Sequence, residues 1–375
     1  MKILKFSCVS GLNSGDDLIS YVMERRFEKR HLICSLDILG QEFDLDKRLK
    51  SKATHRLPAL SKPRNLLAAF IRWVAYKVLH RNRIKRSIKD NDFVIIGGGQ
   101  IIDDFATGHM FYRIVDIVNI CKKLNVPVSV CFVGVSELSP GNFRKLRNMA
   151  TYLQEFSVRD SESLLKMERN SIQGNSINVI PDPVFTISDW IYLSNVRVEY
   201  VGINIMNLNR IMMIEDQDLR VCAKNLKVFS QHLGLKIRLI LTSYGDDLDM
   251  ARELKVQLQG IGVPVDTKLV TTAESVSEAY SGVEIMLSHR MHSSIIAMSF
   301  GIPCMIFNWH TKIKGLVQLV ERESSLVSMH QDVNFDSETL LKESVLMIER
   351  KKQETIELTT IKAEVNNYFD ILTNS

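Results

Sequence analysis

Two histidines and one arginine follow an apolar run that is typical of a buried strand, in the segment Leu287-Ser288-His289-Arg290-Met291-His292. An apolar, helix-like segment at 295–300 comes next. The first turn of a helix attracts phosphate or carboxylate groups, and the planar guanidinium of Arg290 suits the same groups. His292 could donate a proton, because imidazole titrates near neutral pH. The pattern favours an anion site with an acid, but it fits equally well a role for both histidines as helix-cap and surface residues.

A second arginine, Arg159, follows the strand-like residues 156–158 and precedes a helix-start pattern at 160–163. At the end of a strand it could be a second ligand for an anion. A surface ion pair with Asp160 or Glu162 explains the same residue without any ligand.

Two glycine-rich turns, at 11–16 and 97–100, would let backbone N–H groups approach a ligand closely. Neither turn has the spacing of a dinucleotide fingerprint or of a phosphate loop. The candidate ligand-contacting residues of these turns are Asn13, Gly15, Asp16, Gly98 and Gly99. Asp103 could bind a sugar hydroxyl or a cation, or it could cap the following helix. No cluster of His, Cys, Asp and Glu predicts a metal site.

The elements that must position these residues are short apolar strands separated by amphipathic helices, a pattern that predicts parallel sheets covered on both faces. The alternation starts afresh near residue 201, after Asp182-Pro183 and a polar stretch. We therefore expect an α/β protein of two doubly wound, Rossmann-like domains, 1–195 and 196–375, that face each other across a cleft. Charged, periodic segments from 337 to 370 predict C-terminal packing helices.

The composition of the 375-residue chain, with 45% hydrophobic and 24% charged residues, is that of a folded protein and excludes extensive disorder. Six widely spread cysteines form no disulfide framework or zinc pattern, and no segment has the length and hydropathy of a signal peptide core or a membrane span. These features together predict a cytoplasmic protein.

A basic helix is expected at 59–90, where nine Lys and Arg residues stand against one Asp. This helix could make a peripheral contact with the inner face of the plasma membrane, although a core-packed helix with a solvated basic face explains it as well. Nucleic acid is not an expected partner, because the aromatic residues are not interleaved with the basic ones.

Five stretches, taken in order along the chain, carry a resemblance to a known family. They are Gly11-x-Asn13-x-Gly15-Asp16-Asp17, residues 94–99, residues 157–163, Asp182-Pro183, and residues 288–292 with Gly301-Ile302-Pro303. Through them the chain resembles the polysaccharide pyruvyltransferases from about residue 8 to about residue 320.

The resemblance implies a GT-B-like fold with phosphoenolpyruvate in the interdomain cleft, bound by Arg159, Arg290 and the backbone around Met291. It implies that His292 is the catalytic acid and that Lys312 also belongs to the substrate site. The implied reaction moves a pyruvyl group onto two hydroxyls of a sugar in a bacterial surface or exopolysaccharide precursor, often lipid-linked, and releases phosphate. Phosphoenolpyruvate is then a substrate, and no cofactor is expected.

The sequence departs from the family pattern at Trp309 and His310, where similar proteins often carry tyrosine and aspartate. This departure could change the sugar specificity, and it makes His310 a second candidate for proton transfer. Two other functions remain open from the sequence: a glycosyltransferase with a nucleotide-sugar donor, and a non-catalytic glycan-assembly subunit.

Overall fold

We describe the protein from a computed structural model. The structure describes residues 1–9, 13–38, 40–42, 74, 76, 80–104, 109–172, 177–208, 218–243, 246–309, 311–321, 326–330, 334–351 and 358–374. His310 and the predicted basic helix before residue 80, apart from residues 74 and 76, lie outside the described residues. Within the described ranges, no helix has both the length and the apolar character that crossing a membrane requires.

Twelve strands and twelve α-helices are present in the described part of the chain. The strands are β1 (Lys2–Ser7), β2 (Leu32–Asp37), β3 (Phe93–Ile102), β4 (Val128–Val135), β5 (Phe156–Val158), β6 (Ile177–Val179), β7 (Tyr200–Asn204), β8 (Lys236–Leu241), β9 (Val265–Leu269), β10 (Val283–Ser288), β11 (Cys304–Phe307) and β12 (Val327–His330). The helices are α1 (Ser14–Phe27), α2 (Arg81–Lys89), α3 (His109–Leu124), α4 (Pro140–Ala150), α5 (Ser161–Arg169), α6 (Leu219–Leu233), α7 (Asp246–Gly260), α8 (Ala273–Tyr280), α9 (Met291–Ser299), α10 (Thr311–Val320), α11 (Ser337–Lys351) and α12 (Thr359–Asn374). A 3-10 helix covers Pro183–Asp189.

The chain divides into two compact units, which differ in extent from the two domains that we expect from the sequence. The first unit contains residues 1–10, 16–183 and 363–375, and the second contains 11–15 and 184–362. The expected boundary at 195/196 follows the 3-10 helix, but the buried Val184 and Phe185 of that helix already belong to the second unit. The end of α12 belongs to the first unit, where Phe369 packs edge-on against Phe27 with ring centroids 5.3 Å apart.

The first unit is built on a parallel six-stranded sheet with the order β2-β1-β3-β4-β5-β6. All eight residues of β4 are buried, and β3 is buried except at Gln100. Central strands covered by helices on both faces consist of continuous apolar runs, which is why their sequence pattern is clear.

The second unit has its own parallel six-stranded sheet, with the order β12-β11-β10-β7-β8-β9. The predicted α/β class with two Rossmann-like halves is therefore confirmed. In each sheet the strand order reverses at one pair of neighbours, β1 and β3 in the first unit and β7 and β10 in the second. Open α/β sheets bind ligands beyond the carboxyl ends of the strands at this switch point, so these two edges are where a site is expected.

Candidate functional site

The predicted histidine and arginine segment lies at the switch point of the second sheet. Strand β10 ends at Ser288, and Arg290 is the N-cap residue of α9 with an extended backbone (φ −91°, ψ 127°). Asn204, the last residue of β7, fixes this turn: its Oδ1 accepts the Arg290 backbone N–H at 3.0 Å, and its carbonyl accepts the His289 N–H at 3.0 Å. The turn therefore holds the N-terminus of α9 at the edge where an anion would bind.

The guanidinium of Arg290 is bound on one side by a carboxylate of α7. Its Nε donates to Oδ1 and Oδ2 of Asp247 at 3.0 and 3.2 Å, and its Nη2 donates to Oδ1 at 2.6 Å. The Asp247 side chain is fully buried, whereas 22% of the Arg290 side chain is exposed. Arg290 thus combines a fixed orientation with access to solvent.

His292 lies in the first turn of α9 and is buried. Its neighbour in the second unit is Gly15: a β-carbon on residue 15 would come within 3.0 Å of Nδ1, Cγ and Cβ of His292, the last at 2.8 Å. His292 is therefore not a surface residue, which was one of the two roles that the sequence left open, because its imidazole packs against the backbone of Gly15.

The segment 13–15 is held at the second sheet by hydrogen bonds to the end of β8. The backbone N–H and the hydroxyl of Ser14 both donate to the carbonyl of Thr242, at 2.9 and 2.7 Å. Asn13 pairs with Ser243 in an antiparallel bridge, and its side-chain oxygen accepts the N–H of Gly15 at 3.1 Å. Two of the predicted turn residues, Asn13 and Gly15, are in this way brought to the same edge as Arg290 and His292.

His289 is enclosed by aromatic side chains of the second unit. Its ring is fully buried, stacks on Phe335 with centroids 4.9 Å apart, and meets Phe307 edge-on at 5.2 Å. Nδ1 accepts the backbone N–H of Met206 at 3.4 Å. His289 is therefore a residue of the core rather than a helix cap or a surface residue.

Trp309, part of the departure from the family pattern, also lies at this edge. Its indole N–H donates to the carbonyl of His289 at 2.5 Å, and its ring packs on Met206 and Leu208. Lys312 lies in the first turn of α10, but its side chain is outside the described part of the structure.

In the first unit, Arg159 follows β5 and is buried, with 4% of its side chain exposed. Nε lies 3.6 Å from Asp160, Nη1 lies 3.6 Å from Asp182, and Nη2 donates to Oε1 of Gln100 at 3.1 Å. The surface pair with Asp160 is therefore a buried one, with Asp182 as a second acid. Among the described residues, Nε and Nη1 have no hydrogen-bond acceptor in good geometry.

The second glycine turn lies at the carboxyl end of β3. Gly98 and Gly99 have φ values of +81° and +83°, which favour glycine, and a β-carbon on Gly99 would lie 2.8 Å from Oδ1 of Asp16. Burial raises the pKa of the nearby Cys8 thiol well above its usual value, and the carboxylates of Asp16, Asp17, Asp103 and Asp37 raise it further. Asp16 and Asp103 therefore belong to one acidic edge of the first unit.

The predicted residues thus separate into two groups. The second unit gathers Asn13, Gly15, Arg290, Met291 and His292, and the first unit gathers Asp16, Gly98, Gly99 and Asp103, with Arg159 connected to the same strand through Gln100. Within the described ranges, no group of three or more His, Cys, Asp or Glu side chains is arranged to hold a metal ion. The first group can bind an anion and transfer a proton.

Sequence reasoning missed Asn204 and Asp247, the two residues that fix the Arg290 turn and the Arg290 side chain. Asn204 has a weak signal, because it is a polar residue within the apolar run at 201–206. Asp247 has none, since it stands in an acidic stretch that resembles an ordinary helix start.

Solved structures share the fold of the whole chain at low sequence identity. UDP-GlcNAc 2-epimerase from Methanocaldococcus jannaschii matches with a TM-score of 0.63 and 11% identity over 100% of both chains. The UDP-GlcNAc 2-epimerase from Neisseria meningitidis bound to UDP-GlcNAc matches with a TM-score of 0.59 and 11% identity over 100% of both chains. Anabaena Alr3699/HepE in complex with UDP and glucose matches with a TM-score of 0.58 and 13% identity, over 100% of this chain and 96% of that one.

At this identity the structural matches establish a shared fold and no shared activity. No curated protein matches the sequence. The model of one protein family, described as polysaccharide pyruvyl transferase, matches residues 13–311, a range that contains residues 13–16 of the first glycine turn, the second glycine turn, Arg159, Arg290 and His292. Because this match spans most of the chain, the protein is a transferase that belongs to the polysaccharide pyruvyl transferase family.

Proposed function

We propose that the protein transfers the pyruvyl group of phosphoenolpyruvate to two hydroxyls of a sugar in a bacterial surface or exopolysaccharide precursor. The product is a cyclic pyruvate ketal, and phosphate is released. Family membership supports pyruvyl transfer in general. The observation that carries the proposal is the position of His292, buried in the first turn of α9 beside Arg290 and against Gly15.

Arg290 and the start of α9 are the proposed anion site for the donor. The N–H groups of the first helical turn have no acceptor within the helix, and the helix dipole favours negative charge there. The exposed part of the Arg290 guanidinium adds charge-assisted hydrogen bonds, which also orient the bound group. Arg159, with Nε and Nη1 lacking well-aligned acceptors among the described residues, is proposed as a further ligand of an anionic substrate group.

His292 is the proposed acid of the reaction. Its proton would go to C3 of the donor and leave a cationic centre at C2, to which one sugar hydroxyl oxygen bonds as its proton is lost. The bond between C2 and the phosphate oxygen breaks, and the second hydroxyl oxygen bonds to C2 with loss of its own proton. The proton of the first hydroxyl returns to His292 and restores the acid, and the proton of the second hydroxyl leaves on phosphate. These steps use one positioned proton donor together with charged groups that are held in place around the donor substrate.

The acidic edge of the first unit, with Asp16, Asp103 and the backbone of Gly98 and Gly99, is the proposed contact for sugar hydroxyls. An ionised carboxylate has two acceptor oxygens, and each can accept hydrogen bonds from sugar hydroxyl groups. A lipid-linked acceptor is part of the proposal, and the strongly basic segment 59–90 would suit the surface of an anionic membrane. On this proposal, the protein works at the cytoplasmic face of the plasma membrane.

Calorimetry with phosphoenolpyruvate and with a panel of nucleoside diphosphates tests the donor. We expect phosphoenolpyruvate to bind the native protein, nucleotides to be silent, and Arg290→Ala to weaken binding by about 10- to 100-fold, the usual worth of charged hydrogen bonds. Arg252→Ala is the matched control, because Arg252 lies on the nearby α7 and makes only an exposed pair with Asp249 at 3.6 Å. Nucleotide binding without phosphoenolpyruvate binding would contradict the proposal and indicate a nucleotide-sugar donor.

The role of His292 is tested by His292→Asn, which keeps a polar side chain of similar reach. Phosphoenolpyruvate should still bind, while phosphate release with a panel of simple glycosides as acceptors should fall by about 10²- to 10⁴-fold. His232→Asn, at the exposed C-terminal end of α6, is the control and should behave like the native protein. A variant of His292 that retains full turnover would exclude it as the acid.

A further inference from the structure

Arg290 and Arg238 are two arginines of the second unit that bind an aspartate through Nε, but their remaining donors are used differently. Arg238 donates to Asp266 at 2.7 Å and, through Nη1, to the carbonyls of Ala279 and Ser281 at 3.3 and 2.6 Å. Its guanidinium also stacks on Tyr200, with Cζ 3.6 Å from the ring centroid. Only 8% of this side chain is exposed, as expected of a purely structural pair.

The Arg290 side chain is bound on one side only. Asp247 takes up Nε and one hydrogen of Nη2, at distances of 2.6 to 3.2 Å. Nη1 has no acceptor among the residues that the structure describes, and part of the side chain reaches solvent. The edge formed by Nη1 and the second hydrogen of Nη2 is therefore available to a planar group with two oxygens.

The pair also has an electrostatic consequence. A fully buried carboxylate in contact with Arg290 offsets the positive charge of the guanidinium. Binding of an anion at the free edge then depends less on net charge and more on the direction of the hydrogen bonds. Such a site selects a carboxylate or phosphate that meets the fork in its plane over an anion of another shape.

We propose that Asp247 is a positioning residue of the donor site: it holds Arg290 so that the Nη1 and Nη2 edge meets two oxygens of the donor. This inference rests on the proposed function, in which Arg290 binds phosphoenolpyruvate. Asp247 itself touches no substrate and acts through Arg290. A side chain of the wrong charge or length at position 247 leaves Arg290 in place but free to rotate.

The test is Asp247→Asn, which keeps one acceptor oxygen and the shape of the side chain but removes the charge. We expect the affinity for phosphoenolpyruvate to fall about tenfold, because Arg290 loses its fixed orientation. The dependence of that affinity on salt should become steeper, because the charge of Arg290 is no longer offset. If Asp247 only supported the fold, Asp247→Asn would lower the melting temperature without changing the salt dependence of phosphoenolpyruvate binding.

Asp266→Asn is the matched control, since it breaks the equivalent contact with Arg238 away from the proposed donor site. Its phosphoenolpyruvate affinity and salt dependence should equal those of the native protein. The double variant Asp247→Asn/Arg290→Ala should bind as weakly as Arg290→Ala alone, because Asp247 acts only through that arginine.

The outcomes separate this inference from the proposed function. If the native protein does not bind phosphoenolpyruvate, the proposed function fails and the inference fails with it. If the native protein binds and Asp247→Asn binds equally or more tightly with unchanged salt dependence, only the positioning role is overturned. Additive losses in the double variant would also overturn it, because they would require a path that bypasses Arg290.

Discussion

The imidazole of His292 lies so close to the α-carbon of Gly15 that no side chain fits between them. A β-carbon at residue 15 would lie within 3.0 Å of three atoms of His292, a separation that real β-carbons do not show. The contact joins the glycine turn near the N-terminus to the first turn of α9 in the second unit. Gly15 is thus needed for the position of His292.

We therefore expect Gly15→Ala to move the His292 ring and to lower turnover by about 100-fold, the usual effect of misplacing a catalytic group by roughly 1 Å. Affinity for phosphoenolpyruvate should change much less, because Arg290 is held separately by Asp247 and Asn204. The measurement is phosphate release under saturating donor, alongside calorimetric binding of the donor.

Gly141→Ala is the control for the loss of a glycine. Gly141 lies in the first turn of α4, and a β-carbon there would meet no atom within 4 Å. Alanine should raise the melting temperature slightly and leave turnover unchanged, because it restricts the unfolded chain. Native turnover in Gly15→Ala would show that His292 tolerates displacement and has no part in proton transfer.

Arg159 is expected to matter for stability as well as for binding. Its side chain and that of Asp182 are both 4% exposed, and their closest atoms are 3.6 Å apart. Arg159→Ala would leave Asp182 buried without its cation, which typically costs about 3–5 kcal/mol of unfolding free energy. Urea unfolding followed by fluorescence measures this loss.

The control for this prediction is Arg30→Ala, which removes a pair of similar chemistry at the surface. Arg30 and Asp370 are 3.1 Å apart, but both are more than half exposed. Such pairs contribute between zero and about 1 kcal/mol. Equal losses in the two variants would mean that the Arg159 pair is hydrated and contributes little to the fold.

The sequence predicts the strands at the centre of each sheet, because their burial requires continuous apolar runs. It predicts less of the edge strands, because these are only partly buried. The runs that give β4, β10 and β11 are almost wholly buried. Strand β9 has no such run, since it is an edge strand whose middle residues are Asp266, Thr267 and Lys268. Strand β12, at the other edge of the same sheet, is only half-buried at Ser328 and Met329 and has no continuous buried run.

The site could be predicted where its residues are neighbours in sequence. Arg290 and His292 share one strand-to-helix turn, so the local pattern already indicates an anion-binding site with a proton donor beside it. Asn204 lies at the end of β7 and Asp247 lies in α7, and both reach Arg290 only once the chain has folded. No local sequence pattern indicates these two contacts. For the same reason, the sequence does not show that residues 13–15 join the second unit, where Ser14 bonds to Thr242.

Lys5, in the core of the first unit, gives the protein a stability that depends on pH. Its ammonium donates to the carbonyl and hydroxyl of Ser20 at 2.8 and 2.7 Å and lies 3.4 Å from Glu24. Burial lowers the pKa of Lys5 from 10.5 to about 8, although Glu24 partly opposes the shift. The folded protein therefore loses this proton at a lower pH than the unfolded chain does.

Stability consequently rises with pH between about 8 and 10.5, because the unfolded chain binds more protons there. Below pH 8 both states hold the proton, and the cost of burying the charge is present in full. The gain across this window is about 3 kcal/mol, from the shift in pKa. Lys5→Met removes the titration, so the variant should melt higher than the native protein at pH 7, and the difference in melting temperature should narrow as the pH rises to 10.

Comparing the two proteins at each pH cancels the titration of all groups that they share. Lys236→Met serves as the control, since the exposed Lys236 pairs with Glu199 and its pKa is raised by that hydrogen bond. Because the pKa of Lys236 is raised above its usual value of 10.5, its melting difference from the native protein should change little below pH 10. A flat difference for Lys5→Met as well would mean that the buried ammonium stays charged in the folded protein, with Glu24 and Ser20 outweighing the cost of burial.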